Sequence, residues 1–296
     1  MNPIATVLRL IGIRNRLFSP KQLEEWARNP RTPFQGEPPR RLAKQVRVRR
    51  NDVAGWPVYE VEPLAPARVT CGQLLYLHGG GYVLDFNPAL YWGVVAGLAT
   101  ATGRTVTVPI YPVAPEHGHR DAYAMLIPLY QRLLESHRPD EIAFAGDSAG
   151  GGLALGLCHL LREHGLPQPS DCVLLSPWLD LTLSNPAIAA VDRIDPLLNA
   201  AHLRECGRLW AGGESLDDPK LSPVNAPLRG LAKLAVFTGT LDVLNPDARV
   251  LRDRAAKEGV ELVWRETPGA IHVWMFGFWP SARAAFREIG SILAAR

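Results

Sequence analysis

What this chain lacks narrows its chemistry before any motif is read. Its 296 residues include four cysteines, Cys71, Cys158, Cys172 and Cys206, and no two of them form a C-x-x-C pair. Such wide spacing argues against a zinc site or a redox couple and for reduced, mostly buried thiols. No apolar run approaches the roughly 18 residues that a membrane-spanning helix requires. A Gly-Lys-Ser/Thr phosphate loop is absent, and no G-x-G-x-x-G string opens a helix, so nucleotide binding has no footing. Charge of one sign is scarce too: 32 Lys and Arg against 29 Asp and Glu leave a formal +3, spread over short pieces. The one dense basic stretch, from Arg40 to Arg50, alternates Val46 and Val48 with Arg47 and Arg49. That alternation reads as an edge strand with a solvated face, and no base-reading pattern accompanies it, so no nucleic-acid partner is expected.

The N-terminus does not read as a secretory signal, because Arg9 interrupts its apolar residues and no small-residue cleavage site follows. Ile4, Val7, Leu8 and Ile11 fall on one helical face instead. The expectation is a cytoplasmic protein without an integral membrane segment, contact of this helix with a lipid surface being the alternative.

What is present is ordinary globular usage, 47% hydrophobic and 21% charged, enough for a sizeable core. From about residue 45, strand-like and helix-like runs alternate. Strands are expected at Val46–Arg49, Val58–Val61, Leu74–Leu77, Thr105–Ile110, Ile142–Ala145, Cys172–Leu175, Leu234–Phe237 and Val260–Trp264. Helices are expected over Ala89–Ala101, Asp121–Ser136, the stretch from Ser148 to His164, Pro246–Lys257 and Ser281–Ala294. Continuous apolar strands alternating with amphipathic helices predict an α/β fold with a mostly parallel sheet covered on both faces. Residues 1–40 read as one or two short helices broken by Pro20, Pro30, Pro33, Pro38 and Pro39. The stretch from about 180 to 225 breaks the rhythm and reads as an insertion.

Function in such sheets collects at the carboxyl ends of the strands, and four features fall there. Gly146-Asp147-Ser148-Ala149-Gly150 follows an apolar strand and opens a helix, the sharp turn that exposes a serine for nucleophilic attack. By chance alone such a string occurs in roughly one chain in ten of this size, so its neighbours decide its meaning. His78-Gly79-Gly80-Gly81-Tyr82 follows another strand, with backbone N–H groups of Gly79, Gly80 and Gly81 open to a substrate oxygen, as is that of Ala149. Asp242 and His272 follow two later strands. A serine hydroxyl needs a base, an imidazole with pKa about 6.5 can take and return its proton, and a carboxylate fixes the imidazole's tautomer. Asp247 competes with Asp242 for the acid's place, and an aspartate after a strand can also cap the next helix. Seven other histidines exist, but only His272 lies beyond the candidate acid.

The HGGGY string at 78–82, Gly146 to Gly151, Tyr111 to His117 and Ser176-Pro177-Trp178-Leu179-Asp180 together resemble the bacterial hormone-sensitive-lipase-like carboxylesterases of the α/β-hydrolase superfamily. The resemblance spans about residues 40 to 296. It implies an α/β-hydrolase domain over 41–296, a small helical cap from residues 1–40 and the 180–225 insertion, hydrolysis of short-chain esters, no cofactor, and a frequent homodimer. It places Gly80, Gly81 and Ala149 around the oxyanion. Two departures stand out: the family usually carries Asp-Pro-Leu where this chain has Asp242-Val243-Leu244, and Trp274 stands where phenylalanine is common. Tyr82, Trp178, Trp210 and Trp274 are expected to bind substrate, with core filling as the alternative reading for the tryptophans, Phe276 and Trp279 included.

Three rival readings remain. The same serine chemistry serves amides, lactones or acetylated small molecules. A receptor of this fold would have lost its histidine, and His272 is present. His117-Gly118-His119 with Glu116 and Asp121 invites a metal, but it lacks a third ligand at plausible spacing, and a helix start is the simpler reading.

Overall fold

The computed structural model describes residues 3–29, 34, 36–65, 72–277 and 280–294. Pro30, Pro33, Cys71 and Trp279 lie outside the described residues. Eight strands form one sheet: β1 (Val46–Val53), β2 (Trp56–Pro63), β3 (Gln73–Leu77), β4 (Thr105–Pro109), β5 (Ile142–Asp147), β6 (Asp171–Leu175), β7 (Lys233–Gly239) and β8 (Leu262–Thr267), in the order β1-β2-β4-β3-β5-β6-β7-β8. From β4 to β8 every pair is parallel, while β2 runs antiparallel to both β1 and β4. β1 is the outer strand, and its Arg47 and Arg49 both pair with Glu62 of β2.

Side chains of a strand alternate between the sheet's faces, and the core divides accordingly. Leu75, Leu77, Phe144, Cys172 and Leu174 join one cluster, with α4 (His119–Leu134), α5 (Ala149–Glu163) and α8 (Asn245–Glu258) packed on it. Leu74, Tyr76, Ala143, Ala145, Val173 and Leu175 join the other, under α3 (Pro88–Thr102) and α9 (Pro280–Ala294). Cys158, Cys172 and Cys206 are free thiols, all buried. No helix among the described residues is long and apolar enough to cross a membrane.

Two expectations shift. β8 begins two residues later than the Val260–Trp264 run suggested, because Gly259 in the left-handed region closes α8 and the Val260 N–H bonds back to Ala255 O at 2.8 Å. Those groups belong to the helix end and cannot also join a ladder. Pro20 opens a helix, α2 (Pro20–Arg28), instead of breaking one, since its missing N–H costs nothing at a first turn and the Ser19 side chain accepts the Gln22 N–H.

In the N-terminal segment, α1 (Pro3–Ile11) and α2, α2 packs against α7 (Ala200–Ala211) of the 180–225 stretch, which also holds α6 (Ile188–Asp192). Arg14 forms an ion pair with Asp192 at 2.9 Å, and His202 Nδ1 meets Leu17 O at 3.1 Å. Both segments reach the carboxyl edge of the sheet, where the four sequence features converge.

Candidate active site

Ser148 stands between β5 and α5 with φ 53° and ψ −123°, a conformation that an L-residue rarely adopts. Strain of this kind costs on the order of 1–3 kcal/mol and persists only where surrounding bonds over-determine it. Here Ser148 N–H donates to Leu175 O at 2.9 Å, and Ser148 O accepts from Gly151, Gly152 and Trp178. The turn has no room for side chains on either side: a Cβ on Gly146 would run into the Gly150 carbonyl, and one on Gly150 into the carbonyls of Leu77 and His78. The hydroxyl therefore sits at the positive end of α5, a favourable place for developing negative charge.

His272 Nδ1 lies 2.9 Å from Asp242 Oδ2, with His272 5% exposed and Asp242 fully buried. Burial by itself would depress the imidazolium, but the charge and hydrogen bond of Asp242, with Asp195 and Asp147 behind, outweigh it and hold the group above the ordinary 6.5. Asp247, the rival acid, is engaged elsewhere: its Oδ1 accepts from Asn185 Nδ2 at 2.9 Å. Ser148 and His272 line one pocket of about 140 Å³, walled by Leu17, Phe18, Leu84, Leu90, Leu197 and Leu198 and floored by Gly79, Gly80 and Gly81.

Backbone donors meet the serine there. Among the described residues the N–H groups of Gly80, Gly81 and Ala149 have no protein acceptor. Gly79 differs from expectation, because its N–H already donates to Asp147 Oδ1 at 2.9 Å. The Asp147 carboxylate also accepts from Tyr76 Oη at 2.6 Å and Tyr91 Oη at 3.0 Å. Burial pushes that carboxyl up to about 6, and the two tyrosine bonds oppose the shift. Gly79 thus ties the glycine loop to the turn that bears Ser148.

The family described as alpha/beta hydrolase fold matches residues 74–276, more than half of the chain and all of the strand ends just described. The chain belongs to the α/β-hydrolase family. An acetyl-hydrolase of Streptomyces hygroscopicus is 34% identical over 235 residues, covering 78% of each chain. An esterase of Acinetobacter venetianus is 30% identical over 228 residues, 75% of each chain. A hormone-sensitive lipase from a metagenome library superposes with a TM-score of 0.84 at 29% identity, covering 99% of this chain and 98% of its own. This hydrolase is therefore hormone-sensitive-lipase-like, as its motifs imply.

The aromatic residues expected to bind substrate lie elsewhere in the hydrolase. Tyr82 stacks on Trp210 at 4.6 Å and tilts against Trp178 at 5.4 Å, and all three are buried in the core away from the pocket lining. Trp274 faces a different cavity, with Phe237 and Trp264 between β8 and α9. The first three of these large rings pack on one another in the interior, the core-filling alternative that the sequence pattern could not separate from a pocket lining. His119 is buried and pairs with Glu214, and His117 lies beside Asp121 at the start of α4. Among the described residues no group of three or more His, Cys, Asp or Glu is placed to hold a metal ion. The pocket's real walls, Leu17, Phe18, Leu197 and Leu198, carried no signal in sequence, because they come from irregular chain between short helices.

Proposed function

We propose that this esterase hydrolyses short-chain carboxylic esters through an acyl-serine intermediate. His272 takes the Ser148 hydroxyl proton as Oγ attacks the ester carbonyl carbon, and Asp242 holds the imidazole with Nε2 free to accept it. The oxyanion is received by N–H groups of Gly80, Gly81 and Ala149, donors worth roughly 3–4 kcal/mol each in comparable sites. The tetrahedral adduct collapses, and the alcohol leaves with the proton from His272. Water then attacks the acyl-serine by the same base, and the carboxylic acid departs. The segments 3–29 and 180–225 act as the cap that bounds the acyl side.

The observation that carries this reading is the shared pocket: a serine in a strained turn and an imidazole bonded to a buried carboxylate face one small apolar volume. Its size suits an acetyl to butyryl group, and the named acetyl-hydrolase relative supports small acyl groups. Turnover of p-nitrophenyl esters of increasing chain length, with an anilide and a lactone alongside, tests it. Acetate to butyrate should lead, and Ser148→Ala should be inactive and resist labelling by an organophosphate. A Ser148→Ala protein with full turnover would end the proposal, and preference for the anilide or lactone would move it to amide or lactone hydrolysis.

A further inference from the structure

A second buried carboxylate stands beside the acid of this site. Asp195 is 2% exposed and lies between α6 and α7. Its Oδ1 accepts the N–H groups of Leu197 at 2.7 Å and Leu198 at 2.9 Å, so the carboxylate shapes its own loop. Its Oδ2 accepts the N–H of Val243 at 2.8 Å, and Val243 directly follows Asp242. Leu197 and Leu198 line the pocket that holds Ser148 and His272. From the other side Arg14 donates to the carbonyls of Asp195 and Leu198 and pairs with Asp192. A proline at 243, the residue that Asp-Pro-Leu sequences carry there, has no N–H to give. Valine supplies the donor, and the unusual residue acquires a physical reason.

We propose that Asp195 is a positioning residue that locks the leucine wall of the acyl pocket and the turn bearing Asp242 into one register through the Val243 N–H. The proposal rests on the reading of Ser148, His272 and Asp242 as the catalytic groups. Two carboxylates side by side in the interior repel, and such an arrangement persists only when backbone donors hold it. Burial and then the Asp242 charge push Asp195 up to about 6, opposed by its three N–H bonds. The charged group that acts on it is Asp242 from the turn after β7, and His272 in turn feels the Asp195 charge; Arg14 of the N-terminal segment reaches only the Asp195 backbone carbonyl and pairs with Asp192 of α6.

The test is kcat/KM against pH on p-nitrophenyl acetate and hexanoate for wild type, Asp195→Asn, Val243→Pro and the double variant. Asparagine keeps an oxygen for the leucines but turns an NH2 group against the Val243 N–H. Each single variant should lose about tenfold in kcat/KM, the worth of one bond to a charged group, and the double should lose no more than the worse single. Asp195→Asn should also move the acid limb to lower pH, because a negative charge behind the imidazolium is gone, and should change the hexanoate-to-acetate ratio through the leucines. Val243→Pro should leave the acid limb near that of wild type. Additive losses, or an unmoved acid limb in Asp195→Asn, would overturn the proposal. Should Asp195→Asn not fold, wild-type kcat/KM in a folded Val243→Pro protein overturns it equally, and a tenfold loss there supports it. Ser148→Ala separates the two readings: activity there sinks the catalytic assignment, whereas its inactivity beside wild-type behaviour of the Asp195 and Val243 variants sinks the positioning role alone.

Discussion

Asp242→Asn asks whether the acid serves as a charge or merely as a hydrogen-bond acceptor. Both carboxylate oxygens are engaged, Oδ2 with His272 Nδ1 at 2.9 Å and Oδ1 with the Leu244 N–H at 3.0 Å. Asparagine offers one acceptor, so its NH2 group must face one of those two N–H groups. Facing the imidazole, it drives the ring proton to Nε2, and no lone pair remains to receive the serine proton. That tautomer error costs roughly 10⁴ in kcat, or about 5.5 kcal/mol at 1.36 kcal/mol per decade. Facing Leu244 instead, it forfeits a charge-assisted bond of about 1.5–3 kcal/mol, roughly ten- to a hundredfold. The loss should therefore lie between those bounds, and steady-state release of p-nitrophenolate measures it directly. The acid limb should also move to lower pH, since the Asp242 charge is a cause that raises the imidazolium. Asp242→Asn within twofold of wild type at every pH, or an equal loss from Asp247→Asn, would refute the assignment.

In the wild-type enzyme, kcat/KM should fall on the acid side with a midpoint above 6.5. His272 must be neutral to take a proton, and its imidazolium is held above that ordinary value, so activity disappears at a higher pH than for free imidazole; a midpoint clearly below 6.5 would contradict the electrostatic account. Phe18→Ala should open the pocket wall and raise the hexanoate-to-acetate ratio by about fourfold per newly buried methylene, at ~0.8 kcal/mol each, and an unchanged ratio would place Phe18 off the acyl path. Trp210→Ala removes a fully buried ring stacked on Tyr82 and should cost about 3–5 kcal/mol in urea unfolding, where a loss under about 1 kcal/mol would mean that α7 is not packed as described. Gly150→Ala should yield no folded esterase, since its Cβ would strike the backbone carbonyls of Leu77 and His78; soluble active protein would show the turn to be wrongly placed.

Legibility in the sequence followed local physics. The strand and helix runs were readable because apolar period and glycine closure are local, and Ser148, Asp242 and His272 stood out as candidates because each follows a strand of the parallel part of the sheet. The sequence placed the acid at Asp242 and left Asp247 as its alternative, and the 2.9 Å approach of Asp242 to His272, with Asp247 bonded to Asn185, adds the long-range contact that local pattern could not supply. Gly79 looked equal to Gly80 and Gly81 until Asp147, on another strand, took its N–H. Tyr82, Trp178 and Trp210 read as substrate-binding, with core filling as the alternative for the tryptophans, and the structure packs all three against one another in the interior.

The sequence by itself determined the sheet-and-helix order, the sharp turn at Ser148 and the residue types of the candidate site, since each is written within a dozen residues. Tertiary structure alone decided that Asp147 takes the Gly79 N–H, that Asp195 bonds the turn after Asp242, and which chain walls the pocket. Those outcomes depend on contacts between residues far apart in the chain, such as Asp195 with Val243 and Arg14 with Leu198. Their energies arise only when burial removes the competing water, and no local pattern encodes that.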